Sequence, residues 1–106
     1  EDFDLMVREL VTELIRRWPQ VSTIEFAVED VPPSDPAPWE SHSVVVARIF
    51  PADRRRGLRD RIVVYRLPIT LRCAPEEVAL MTRRVLVERI SHILALPPDE
   101  IDDAMR

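Results

Sequence analysis

The sequence predicts an α+β fold, with a small, mostly three-stranded sheet packed on a long central helix. Three observations predict it. Apolar residues recur with helical spacing towards both ends of the chain, three short stretches between them have strand character, and prolines or charged runs separate the segments. Helices that flank a run of strands are typical of α+β proteins. The length of 106 residues suits a single domain spanning 1–106.

Helical spacing predicts a first helix over residues 3–18, which Pro19 ends. Its apolar stripe comprises Phe3, Met6, Val7, Leu10, Leu14 and Ile15. The longest helix is predicted over residues 75–96, with Pro75 in its first turn. Apolar side chains surround most of its circumference, which predicts that it is buried at the centre of the domain. A short last helix is predicted to begin near Pro98.

Strands are predicted over residues 23–28, 44–49 and 62–67. The second begins with a continuous apolar run, which favours a strand covered on both faces. Residues 51–61 are polar and rich in arginine, and they are interpreted as a loop or a long hairpin tip. Residues 68–73 are expected to form a short helical turn.

Composition limits the classes of function and the cell compartment. The net charge of -4 and a pI near 5.2 oppose a general nucleic-acid-binding role. Cys73 is the single cysteine, so the sequence shows no sign of an oxidising compartment. No apolar run approaches the roughly 20 residues of a membrane span, and the acidic N-terminus lacks a signal-peptide layout. We therefore expect a cytoplasmic protein without a membrane partner.

Three segments carry a family resemblance when they are taken together. They are residues 28–33 (VEDVPP), residues 61–66 (RIVVYR) followed by a proline and the long helix, and residues 85–96 (VLVERISHILAL). In this combination and order the chain resembles the small bacterial zincin-like metallopeptidases. In that family the last segment contains HEIGHHFG, followed by leucine or isoleucine and an acidic stretch. The resemblance implies a minimal zincin-like fold and an ancestral zinc peptidase.

The resemblance also implies that the zinc motif is degenerate. Zinc needs two histidines one helical turn apart, and a glutamate after the first acts as general base. Glu88 stands at the first histidine, Arg89 at the general base and His92 at the second histidine. Ala95 replaces the glycine, and the acidic third-ligand position falls one residue before Asp99. We expect no bound zinc and no catalytic residue here.

The preferred interpretation is a non-catalytic pseudo-peptidase that acts in protein interaction, with a protein partner or by self-association. The alternative is a metal-dependent peptidase or hydrolase with an altered site of Glu88, His92 and Asp99. Against a metal, Arg84, Glu88 and His92 could instead form a ladder in which Glu88 pairs with Arg84 and accepts a hydrogen bond from His92.

Arg89 is expected to pair with an acid of the last helix, namely Asp99, Asp102 or Asp103. Such a salt bridge would pin that helix where the family holds its metal.

The arginine-rich loop supports a third interpretation. Arg54, Arg55, Arg56, Arg59 and Arg61 form a basic cluster that could bind an acidic partner, phosphate or RNA. A solvated loop balanced by nearby acids is favoured, because no aromatic residue in the loop offers a stacking surface. Trp39, in a proline-rich loop, is the remaining candidate for partner contact, with simple packing as its other explanation.

Overall fold

The computed structural model describes residues 2–33 and 45–103. Its helices are α1 (Asp2–Arg17), α2 (Arg66–Thr70), α3 (Val78–Leu94) and α4 (Pro98–Ile101). Its strands are β1 (Glu25–Glu29), β2 (Ala47–Phe50) and β3 (Arg61–Tyr65), and short 3-10 turns occupy Pro19–Thr23, Arg54–Arg56 and Pro75–Glu77. The order helix, strands, helices confirms the predicted α+β class.

The described strands form one sheet in the order β1-β3-β2. β1 runs parallel to β3, with Glu25 opposite Arg61, and β2 runs antiparallel to β3, with Ala47 opposite Val64. The antiparallel pair makes the arginine-rich stretch a hairpin tip, as predicted. β3 is the central strand, and its residues from Ile62 to Tyr65 are all buried.

The prediction that the second strand is covered on both faces is wrong. Residues 45 and 46 precede β2, so part of the apolar run lies outside the strand. β2 lies at one side of the described sheet, and Phe50 at its end is 44% exposed. The strand that is buried on both faces is β3, because its successive residues Ile62 to Tyr65, which point alternately to the two faces, are each at most 2% exposed.

The core lies between the helices and one face of the sheet. It joins buried residues of α1, β3, α3 and α4, among them Leu14, Ile62, Val64, Leu86, Ile90 and Ile101. The long helix therefore packs on the sheet as predicted. None of the helices in the described ranges is both long and apolar enough to cross a membrane.

Two element boundaries differ from the prediction because of local backbone geometry. The 3-10 turn after α1 delays the start of the first strand to Glu25. Pro68 does not end the third strand, since β3 stops at Tyr65 and α2 begins at Arg66. Pro68 then lies in the first turn of α2, where its missing N–H removes no helical hydrogen bond.

Candidate functional site

The residues that the resemblance aligns with the zinc motif lie on the outer side of α3. Glu88 and His92 are one helical turn apart, and both are exposed. Leu86, Val87 and Ile90 of the same helix are fully buried. Because the helix turns every 3.6 residues, burial of these apolar rows directs Glu88 and His92 to solvent. Beyond its first turn, only this side of α3 is exposed, so the helix is buried or half-buried around most of its circumference, as predicted.

Glu88 forms an ion pair with the next residue of the helix. Arg89 Nη1 lies 3.3 Å from Glu88 Oε1, and the Glu88 side chain is 65% exposed. Within the described residues, neither Arg84 nor His92 bonds to Glu88, so the predicted ladder is wrong. An ion pair this exposed stabilises a fold by about 1 kcal/mol at most. Its chemical effect is larger, since it places a fixed positive charge beside the carboxylate at the first-ligand position.

A salt bridge does pin the last helix, but Arg83 makes it and not Arg89. Arg83 Nε lies 2.7 Å from Asp102 Oδ2, and Arg83 Nη1 lies 3.1 Å from Glu13 Oε1. The guanidinium thus joins α3 to the end of α4 and to α1. The Asp102 side chain is only 6% exposed. Its hydrogen bond is the main cause that raises the pKa of Arg83 above the ordinary value for arginine.

The position of Arg83 in the sequence indicates that its side chain is paired, although Arg83 lies outside the zinc motif. Arg83 shares a helical row with Val87 and Ile90, four and seven residues further on, and both are buried. A charge in such a row needs a partner, because burying an unpaired charge is costly. The row identifies Arg83 as a paired arginine, although it does not tell which acid it contacts.

Ala95 ends α3 in a backbone conformation that favours glycine. Its φ of 56° and ψ of 41° lie in the left-handed region. The Leu96 N–H donates to the carbonyl of Ser91 at 3.1 Å, which closes the turn as in a Schellman motif. A Cβ is unfavourable in this region, so helices usually end here with glycine. The backbone turn that the resemblance assigns to a glycine is present, although the residue is alanine.

We expect Ala95→Gly to raise the free energy of unfolding by about 1 kcal/mol, because it removes the strain of a Cβ at positive φ. Ala79→Gly is the matched control. Ala79 is exposed in the right-handed part of the same helix, and there glycine should lower the free energy of unfolding by about 1 kcal/mol. Urea unfolding of both variants checks the opposite signs. A loss of stability in both variants would show that Ala95 is not strained.

Comparison with known proteins decides the family. A family model described as zincin-like metallopeptidase matches residues 21–105, which contain the three strands and helices α2, α3 and α4. The chain belongs to the zincin-like metallopeptidase family. This confirms the resemblance read from the three segments. A search of the curated proteins found no match to the chain.

The described residues do not fit the zinc ion of this family. Catalytic zinc needs three protein ligands, two of them histidines one turn apart in the HExxH motif. No three side chains of histidine, cysteine, aspartate or glutamate come together as metal ligands within the described ranges. Glu88, at the first of the two helical positions, is paired with Arg89, whose charge repels a dication. The other histidine of the sequence, His42, lies outside the described residues.

The arginine-rich hairpin tip is a tight turn. Asp53 and Leu58 close it through backbone hydrogen bonds of 2.9 Å, and Gly57 supplies the left-handed residue with φ of 69°. Arg54, Arg55 and Arg56 are exposed around the turn. Arg59 instead forms an ion pair of 3.4 Å with Glu25 of β1.

The arginine candidates are therefore divided between an exposed turn and the surface of the sheet. Trp39, the other residue predicted for partner contact, lies outside the described residues.

Proposed function

We propose that this chain is a zincin-family domain that lacks zinc-dependent peptidase activity and acts by binding another protein or a second copy of itself. The ion pair between Glu88 and Arg89 carries this proposal. In an HExxH peptidase, the position of Arg89 holds the glutamate that takes a proton from metal-bound water. A guanidinium stays protonated at neutral pH and cannot take that proton.

The scaffold supports a binding role at the edge of the sheet beside α3. One edge of β2 pairs with β3, and no described strand pairs with the other edge of β2. Helix α3 packs against β2. Extended peptides add to such edges through backbone hydrogen bonds. Zincins hold peptide substrates along a strand edge, so a protein partner could use the same kind of surface without chemistry.

Zinc content of the purified, tag-free protein tests the loss of the metal site. We expect elemental mass spectrometry, after incubation with excess zinc and desalting, to find far less than one zinc ion per chain. We also expect the same low content in His92→Ala, because one histidine gives little affinity. Near-stoichiometric zinc that disappears in His92→Ala would overturn the proposal and favour the altered site of Glu88, His92 and Asp99.

A double variant supplies the positive control for this measurement. Glu88→His combined with Arg89→Glu restores both histidine positions and the general base on an exposed side of α3. Its zinc content should exceed that of the unmodified chain in the same assay. The alternative function, binding of RNA or phosphate through the arginine-rich turn, would be supported by salt-sensitive retention of RNA on the protein. That retention should be lost when Arg54, Arg55 and Arg56 are replaced by alanine.

A further inference from the structure

A groove runs between α1 and β1, on the side of the sheet away from β2. Its volume is about 240 Å³. The helix contributes Asp4, Val7, Arg8 and Val11, and the strand contributes Phe26, Ala27 and Val28. The groove therefore combines an apolar floor with one acidic and one basic side chain on the helical wall.

The backbone of β1 offers hydrogen-bonding groups along this groove. The Glu25 N–H donates to the carbonyl of Asp60 at 2.9 Å, at the start of the pairing with β3. Backbone groups of alternate residues in a strand point to opposite sides. Those of Phe26 and Val28 thus point away from β3, and no described strand pairs with them. Such an edge is a template for an added strand.

The charges along β1 favour a basic partner. Glu25, Ala27 and Glu29 lie on the face of the sheet opposite to Phe26 and Val28. Arg59 already pairs with Glu25, whereas Glu29 is exposed and forms no ion pair with another described residue. A residue of an added strand beside Glu29 is best matched if it is positive.

A second copy of this chain fits the same edge poorly. Antiparallel pairing of two β1 strands about Ala27 would place Glu25 of each copy opposite Glu29 of the other. Like charges directly opposite each other destabilise a strand pair. The edge therefore favours a different protein over self-association.

We propose that the outer edge of β1 binds an extended segment of a partner protein in which apolar and basic residues alternate. Its apolar side chains lie in the groove against Val7, Val11 and Phe26, and its basic side chains lie beside Glu29. Its backbone pairs with Phe26 and Val28. This inference concerns the opposite edge of the sheet from β2 and does not depend on whether α3 binds zinc.

The test uses a fluorescent octapeptide of alternating valine and lysine, with an octapeptide of alternating valine and glutamate for comparison. We expect the lysine peptide to bind the full chain in anisotropy titrations and the glutamate peptide to bind much more weakly. Glu29→Lys should weaken binding of the lysine peptide by about tenfold. Glu9→Lys, an exposed change of the same charge on α1 outside the groove, should leave it unchanged.

Hydrogen exchange by NMR locates the bound peptide. The amides of Phe26 and Val28 should gain protection, while those of Glu25 and Ala27, which point towards β3, should change little. Absence of binding, equal weakening by both charge variants, or protection elsewhere would overturn the proposal. Concentration-dependent dimerisation that protects Phe26 and Val28 without peptide would also overturn it, in favour of a second copy. The zinc measurement has no bearing on any of these outcomes.

Discussion

Replacing Arg83 with methionine is expected to lower the free energy of unfolding by about 3 kcal/mol, a large part of the total for a small domain. The change keeps a long apolar side chain but removes the cation 2.7 Å from the buried Asp102. A buried carboxylate that loses its cation costs far more than the pair itself contributes. Thermal or urea unfolding followed by circular dichroism measures the effect.

Glu13→Gln is the matched control for this variant. It removes the other carboxylate that contacts Arg83, but the Glu13 side chain is 53% exposed, so we expect a loss of less than about 1 kcal/mol. Because the folded state raises the pKa of Arg83, the stabilisation by its charge persists below the unfolded pKa and disappears only at strongly alkaline pH. Equal stability of Arg83→Met and the unmodified chain at neutral pH would contradict a structural role for this salt bridge.

Replacing Leu86 with alanine should also cost about 3 kcal/mol. Leu86 is fully buried in α3 and belongs to the same core as Leu14 of α1 and Ile62 of β3. The lost side chain leaves a cavity in this shared core, and the surrounding residues relax only in part.

Leu80→Ala makes the same chemical change on the outer side of the same helix. Leu80 is 52% exposed, so its replacement should alter the free energy of unfolding by less than about 0.5 kcal/mol. Urea unfolding of the two variants compares the two sides of α3 directly. Similar losses in both would contradict the orientation of the helix, and with it the exposure of Glu88 and His92.

The fold could be predicted where local patterns decide it. The helical spacing from Phe3 to Ile15 predicts α1, and the long periodic segment after Pro75 predicts α3. The two apolar strand runs show where local patterns fail. Residues 62–65 and residues 44–47 look equally suited to burial on both faces, yet only β3 is the central strand. Strand order depends on pairing between distant segments, and periodicity carries no information about it.

In the candidate site, too, local patterns predict some features and contacts between distant segments decide the others. Spacing alone places Glu88 and His92 one turn apart, whereas the assignment of Arg89 to the general-base position rests on the resemblance. The partners of the arginines were predicted wrongly. Arg89 contacts its neighbour Glu88, and Arg83 takes Asp102. Ion pairs between helices depend on which faces meet, and that is decided by packing of the whole core.

The sequence by itself therefore determined the α+β class and the zincin-like family, because these follow from residue type and spacing. Only the tertiary structure decided which side of α3 is exposed, how Arg83 joins α1, α3 and α4, and that Ala95 is left-handed. It also decided that β1 has a groove along its outer edge. Apart from the turn at Ala95, which is local to the end of α3, these features depend on the relative placement of segments far apart in the chain, which is set by burial of the shared core and by strand pairing.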